Sequence, residues 1–410
     1  MFFYNLFLNI LFLPFLIIFI FAAILNKRLS FNFFQRISFI KNKPEGKVIW
    51  FHCSSFGEVN AIKSVIEKLK KRKKKIYITT LTDTGFLNAK KIVGDNCSII
   101  PFDFNFLIKR FIKKIKPEIL IIEETEIWPN LIWQTSKFKI PIIYINALIT
   151  EKSYKAYKLL KFIFSKVLKR IEIFFVQNQE TEFYLKKLGV DKNKIKYIGV
   201  TKFDIKIPKI NKLKIFKADS KIIVAGSTHH NEEKILIETF KKLKNEFPNL
   251  KLIIAPRHIE RLNEIVKLLE TEKIKFNLFS KIKNFCNEEV LIIDKMGVLM
   301  EIYNLSDISF VGGTLVKVGG HNPLEPASLK KPVLFGPFIK NNFVAFQLLL
   351  ENKAGIMVKD ASELYEKIRF LLKNKNEAKK MGLNAYKILK TNSGASQKIV
   401  DYICKNYLKK

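Results

Sequence analysis

The sequence predicts an α/β protein of two doubly wound parallel sheets behind an apolar amino-terminal helix. Three observations carry that expectation. From residue 45 onward, short β-branched or aromatic runs alternate with helical stretches studded with Lys and Glu, the pattern of βαβ units whose strands are buried on both faces. The runs form two series separated by a Lys-rich stretch without clear periodicity, IKIPKINKLKIFKADS at 205–220. Finally, 410 residues with 48% apolar content suffice for two or three cores at about 150 residues each, which excludes a wholly disordered chain.

The first element is Phe2 to Leu25, which carries no charge and has only Asn5 and Asn9 as strongly polar residues. A bilayer core needs roughly 20 apolar residues as helix, so this stretch is long enough to span one. No Lys or Arg precedes it and Ala22-Ala23 is embedded within it, so it reads as a retained anchor rather than a cleaved signal. Lys27, Arg28, Arg36, Lys41, Lys43 and Lys47 follow, and the positive-inside rule places that flank, and with it the bulk of the protein, in the cytoplasm. The alternative is a helix lying in the membrane surface, which would need a polar face that this segment lacks.

The first strand series is KVIWFHC (47–53), IYITT (76–80), CSIIP (97–101), EILIIE (118–123), PIIYIN (141–146) and IEIFFVQ (171–177). The second is KIIVAGS (221–227), KLIIAP (251–256), EVLIID (289–294), ISFVGG (308–313) and KPVLFG (331–336), with a helical tail from about 377 to 410. The expected divisions are an anchor at 1–26, a first Rossmann-like domain at 27–204, a linker at 205–220 and a second such domain at 221–410. In open parallel sheets ligands bind beyond the carboxyl ends of the strands, so the loops after these runs should carry function, and two facing sheets would enclose a cleft.

Charge and cysteine narrow the function classes. The 73 Lys and Arg against 37 Asp and Glu leave +36, which suits nucleic acid, an anionic membrane or an anionic substrate. Only eight of those cations are Arg, and Arg forks dominate base and phosphate recognition, so no nucleic-acid partner is expected. Abundant Ile, Asn and Phe beside Lys also fit a preference for AT-rich codons, which explains the excess as well as a binding surface does. Cys53, Cys97, Cys286 and Cys404 are far apart and form no CxxC pair, which fits a reducing compartment and no structural zinc.

The unusual residues gather at strand ends. All five histidines (His52, His229, His230, His258 and His321) lie at or just after a strand run, without the spacing of a metal site, and read as a polar ligand cleft. In HCSSFGEVNAI, Glu58 stands at a helix start after the first strand, where it could take a proton from a hydroxyl nucleophile or merely complement the helix dipole. EETEIWPN crowds Glu123, Glu124 and Glu126 beside an apolar strand, and Trp128-Pro129 suggests a fixed wall. In the second half, AGSTHHNEE brings Ser227 and Thr228, and APRHIER brings Pro256 and the Arg257 fork, both suited to an oxyanion or phosphate. The most specific segment is GGTLVKVGGHNPLEPAS at 312–328, where Asn322 can cap a helix with Pro323 first and Leu324 next. Glu325 would then complete a capping box or accept hydrogen bonds from a ribose diol.

An amino-terminal anchor followed in order by SFGE, TDTG, ETEIWPN, TKFD, STH, PRH, KMGVL, FVGGT and GGHNPLEP closely resembles the Kdo transferases of lipopolysaccharide biosynthesis. These are inverting glycosyltransferases of the GT-B fold that move 3-deoxy-D-manno-octulosonic acid (Kdo) from CMP-Kdo to a lipid A precursor (lipid IVA). The resemblance covers nearly the whole chain and implies an inner-membrane enzyme without metal or other cofactor, with an acceptor-binding first domain and a CMP-Kdo-binding second one. Glu58 matches the general base, and Glu124 and Lys202 of TKFD match residues assisting the transition state, with Glu126 the other candidate. Pro256-Arg257, the Met296-Gly297-Val298 backbone and Asn322 to Glu325 match the CMP-binding segments. Val298 stands where the family usually has Glu, and Leu148 where it typically has Arg. Another membrane-associated GT-B enzyme using a different nucleotide sugar would share this architecture, whereas a non-enzymatic membrane or nucleic-acid binder would leave the acidic and His-bearing loops unexplained.

Overall fold

The computed structural model describes residues 1–25, 32–40, 43–205, 207, 213, 215–282 and 286–408. Much of the expected linker (206, 208–212 and 214), together with Lys27, Arg28 and Lys41 of the basic flank, lies outside the described residues. The chain divides into two compact units, Met1–Asp204 with Ser393–Lys410, and Ile205–Asn392.

In the first unit the strands are β1 (Val48–Cys53), β2 (Ile76–Thr80), β3 (Cys97–Ile99), β4 (Pro117–Glu123), β5 (Ile142–Ala147), β6 (Ile173–Val176) and β7 (Ile195–Lys196). They form one sheet in the order β3-β2-β1-β4-β5-β6-β7, every pair parallel. Side chains alternate between two buried faces. Val48 and Trp50 pack with Phe111 and Ile112 of helix Asn105–Ile115 on one side, and Ile49 and Phe51 pack with Val65, Ile66 and Leu69 on the other.

The second unit repeats the plan with β8 (Lys221–Thr228), β9 (Leu250–Pro256), β10 (Phe276–Leu278), β11 (Val290–Ile292), β12 (Ile308–Val311), β13 (Val333–Phe335) and β14 (Gly355–Met357), ordered β10-β11-β9-β8-β12-β13-β14 and again all parallel. All eleven expected strands are present. The three the sequence reading omitted, β7, β10 and β14, have two or three residues and lie at sheet edges, too short to show alternation. Strand order reverses between β1 and β4 in one sheet and between β8 and β12 in the other, and such switch points open a crevice at the strands' carboxyl ends.

The carboxyl-terminal boundary requires a correction. The tail is two helices, Lys375–Asn392 and Ala395–Asn406, divided at Gly394 with φ 102°. The second, expected in the domain at 221–410, packs on the first unit, where Ile399, Val400 and Ile403 are fully buried against its sheet. Its start is fixed there by Asp204, whose carboxylate accepts hydrogen bonds from the backbone N–H groups of Gly394 (2.5 Å) and Ser396 (2.6 Å).

At the other end, Phe2–Leu25 forms one helix of 24 residues, long and apolar enough to cross a membrane. Phe12, Phe15 and Phe19 form a stripe whose rings meet Phe104, Phe102 and Phe102 at 4.8, 5.0 and 4.9 Å. The opposite face, with Phe3, Ile10, Ile17 and Ile24 at a seven-residue spacing, is exposed.

Candidate active site

In the first unit the loops after β1 and β4 hold Glu58, Glu124 and Glu126, and the turn Thr201–Phe203 after β7 brings Lys202 to Glu124. Ser55 caps the helix Phe56–Ala61 by accepting from the backbone N–H of Glu58. The Glu58 carboxylate turns back to accept from the Ser54 N–H at 2.5 Å and the Ser55 hydroxyl at 3.3 Å. These bonds hold the side chain at the helix start, where it is 8% exposed. Burial, followed by the nearby Glu124, pushes its pKa up to about 8, against the opposing Ser54 N–H and Lys202. Glu58 thus holds a proton near neutrality and gives it up in the mildly alkaline range.

Glu124 follows β4 in a left-handed conformation (φ 57°), a position that costs a non-glycine residue energy and is concentrated at functional sites. Its Oε1 lies 2.5 Å from Lys202 Nζ. Burial pulls Lys202 down, but Glu124, Glu123 and Glu58 together outweigh it and raise its pKa, so the ammonium stays charged. Glu126 accepts from Trp128 Nε1 at 2.5 Å, and Pro129 opens the helix Pro129–Lys137, which makes the expected wall.

Glu123 has a different function from its neighbours. It is wholly buried and accepts from Asn146 Nδ2 at 2.8 Å, while Asn146 also bonds the Thr201 hydroxyl at 2.5 Å and accepts from the Thr201 N–H at 3.0 Å. This network ties the segment carrying Lys202 to the ends of β4 and β5. The sequence reading missed it, although an Asn closing a β-branched strand was the available signal. His52 also departs from expectation: it is fully buried inside the sheet, bonded through Nδ1 to Thr79 at 3.0 Å, rather than lining an open loop.

The second unit builds its site from the loops after β8, β9 and β12. Ser227 adopts φ 58°, and Thr228 is buried with no partner for its hydroxyl among the described residues. A Cβ on Gly312 would come within 2.3 Å of the Ser227 carbonyl oxygen, so only glycine lets these two loops meet. They are joined by Glu232, whose buried carboxylate accepts from four backbone N–H groups: His229 (2.9 Å), Gly313 (2.7 Å), Thr314 (3.0 Å) and Leu315 (2.9 Å). An acidic first turn looks like ordinary dipole compensation, which is why the sequence did not single it out.

His229 and His321 place their Nε2 atoms 2.8 Å apart, with rings within 7° of parallel and centroids 5.1 Å apart. Those values put the rings end to end, so one imidazole donates to the other. Burial, with pressure from His258, Arg261 and Arg257, lowers His229 to about 4, and burial, His229 and Arg257 lower His321 to about 3, so both are neutral. The Arg257 N–H donates to the Thr228 carbonyl at 3.0 Å, which fixes Pro256-Arg257 beside β8. Met296 is exposed, and Gly297 (φ 89°) turns the chain into Val298 and the helix Leu299–Leu305.

Asn322 Oδ1 accepts from the Leu324 N–H at 3.1 Å, so helix Leu324–Ser328 starts one residue later than expected, with Pro323 as its flank. Among the described residues no backbone N–H of Asn322 bonds Glu325, as a capping box would require. Burial instead raises Glu325 to about 7, opposed by its bond to the Asn322 side chain and by Arg257. Also among the described residues, no three His, Cys, Asp or Glu side chains converge as a metal site.

Comparison with known proteins decides the family. Residues 32–205 match the family described as 3-deoxy-D-manno-octulosonic-acid transferase, and residues 206–388 match glycosyl transferases group 1. A 3-deoxy-D-manno-octulosonic acid transferase of Haemophilus influenzae is 34% identical over 92% of this chain and 91% of its own length. The chain belongs to the Kdo transferase family. A Kdo transferase is a glycosyltransferase of lipopolysaccharide biosynthesis, and that is what this chain is. A bifunctional glycosyltransferase/methyltransferase of Fusobacterium nucleatum is 37% identical over 86% of this chain, which spans 56% of that longer protein. A glycosyltransferase from Rickettsia africae superposes with a TM-score of 0.60 over 88% of this chain and 100% of its own, at 18% identity, and shares the two Rossmann-like units of the GT-B fold.

The two departures from the Kdo transferase pattern fall at separate places. Val298 packs with the cluster around Ile302 and Tyr303, which absorbs an apolar side chain where the family carries an acid. Leu148 reaches the acidic loop through its backbone N–H, 3.3 Å from the Glu124 carbonyl, a contact independent of the side chain.

Proposed function

We propose that this Kdo transferase takes Kdo from CMP-Kdo to a lipid A precursor by a single inverting displacement without a metal ion, with Glu58 as general base. The observation that carries this reading is the Glu58 carboxylate, buried at the switch point and held by the Ser54 N–H with Glu124 and Lys202 beside it. An acceptor hydroxyl gives its proton to Glu58 as its oxygen bonds to the anomeric carbon. The bond from that carbon to the CMP phosphate breaks, and the phosphate oxygen leaves with the bonding electron pair. Lys202 pairs with Glu124 near the reacting centre, where a carboxylate favours the oxocarbenium-like carbon. The helix Phe2–Leu25 supports attachment to the inner membrane, and its basic flank supports a cytoplasmic face.

Mass spectrometry of products formed from CMP-Kdo and a lipid A precursor tests the reaction, with a chelator expected to leave turnover unchanged. Competition by CMP, and none by UDP, is the expected outcome. The reverse would replace this donor with another nucleotide sugar. Glu325 supplies a residue-level check, because its carboxylate is free of a capping box and suited to a ribose diol. Glu325→Gln should leave the unliganded melting temperature nearly unchanged and weaken CMP binding about 10- to 150-fold, as loss of a charged hydrogen bond does. A variant that melts several degrees lower yet binds CMP normally would make Glu325 a structural residue.

A further inference from the structure

Helix Asn105–Ile115 buries Leu107, Ile108, Phe111, Ile112 and Ile115 and carries no acid at any position. Two other helices of the first unit pair a lysine internally, Glu151 with Lys155 and Glu182 with Lys186. Here Lys109, Arg110, Lys113 and Lys114 join Lys43 and Lys116 around a cavity of about 480 Å³. Among the described residues none of the six forms an ion pair. Burial, Arg110 and Lys43 all press the Lys114 ammonium towards losing its proton, as expected where positive charge is unbalanced. Arg110 and Lys114 are steadied over the Phe39 ring at 4.1 and 5.4 Å, and Lys114 also donates to the Ser38 carbonyl at 2.9 Å. A second hollow of about 410 Å³ shares Phe106 and Lys109 and extends the basic surface to Lys137. Overall composition explains many lysines, but not six cations around one cavity without a carboxylate.

Phe106 connects this shelf to the amino-terminal helix. It lines both hollows, is 43% exposed, and meets the Phe12 ring edge-on at 4.9 Å. A bilayer that takes up the exposed face of Phe2–Leu25 therefore meets the shelf at the level of its headgroups. We propose that this shelf binds the phosphate groups of anionic phospholipids in the leaflet that receives the amino-terminal helix, a site separate from the loops that perform transfer. The proposal rests on the membrane reading of that helix and adds the lipid class to it.

The full chain should be partitioned onto vesicles of phosphatidylcholine alone and of phosphatidylcholine with about a third phosphatidylglycerol. Binding to the neutral vesicles tests the helix by itself, and its absence would sink the helix reading. The shelf predicts stronger binding to the anionic vesicles, at roughly fivefold per cation near the surface. Lys109→Gln/Arg110→Gln/Lys113→Gln should lower that binding on the order of a hundredfold while leaving neutral-vesicle binding and the melting temperature unchanged. Lys375→Gln/Lys379→Gln/Lys380→Gln, which removes the same charge from an exposed helix, should have little effect. Equal binding of the native chain to both vesicles, or an equal loss in both triple variants, overturns the proposal. So does abolition of the anionic preference by inorganic phosphate at matched ionic strength, which would assign the shelf to a soluble phosphate.

Discussion

Glu58→Gln is expected to lower turnover by about 10²- to 10⁴-fold while CMP binding is retained, because it removes the base and keeps an oxygen for the Ser54 N–H. The pH profile of the native enzyme should show the same group. Burial and Glu124 raise the carboxyl to about 8, so kcat/KM for the acceptor should fall as pH drops through that value and plateau above it. Stability should move oppositely. A carboxyl whose folded pKa lies above its unfolded value of 4.5 binds more protons folded than unfolded between 4.5 and about 8, so its contribution declines as pH rises through that window. The Gln variant escapes this decline and should melt no lower than the native chain at pH 8. Near-normal turnover in the variant would transfer the base role to Glu124 or Glu126.

Glu232→Ala is expected to produce the largest loss of stability. It strips four backbone donors of their acceptor, two of them in wholly buried bonds, and leaving such groups unpaired costs about 1 to 3 kcal/mol each where water cannot reach. With partial rescue by water the total is about 3 to 5 kcal/mol, or roughly 6 to 20 °C in the melting of the second unit. Glu232→Gln, which keeps one acceptor oxygen, should fall between. Calorimetry decides the matter: an Ala variant melting within a degree or two of the native chain would mean that the loops after β8 and β12 are joined by other contacts.

Strands buried on both faces reveal themselves as continuous β-branched runs, and so the interior of each sheet was readable. The edges were not, since Ile195–Lys196 and Phe276–Leu278 are too short for any period. Glu58 was legible because Gly57-Glu58 stands between a strand run and a helical pattern. Glu232 and Asn146 were not, because three of the four Glu232 donors lie 81 to 83 residues away in sequence and the partners of Asn146 lie 23 to 55 away. Local pattern gives the element on which a polar residue sits, not the distant backbone it will join. The last helix shows the same limit: the spacing of Ile399, Val400 and Ile403 declares an apolar face and says nothing of which sheet it will cover.

The return of residues 393–410 to the first unit bears on the order in which the enzyme is made. In vectorial synthesis domains generally fold as units as they emerge. Here the second unit is continuous, Ile205–Asn392, and can close as soon as it has emerged, whereas the first, though it begins earlier, must wait for the last helix. Until then the sheet face that Ile399, Val400 and Ile403 will cover stays open, at roughly 1.5 to 3 kcal/mol for each buried side chain. Nascent chains would therefore spend the translation of nearly 190 residues with the unit that bears Glu58 unfinished, while the unit that bears Arg257 is already complete. A stop codon near residue 393 would spare the second unit and damage the first, the unit that bears Glu58.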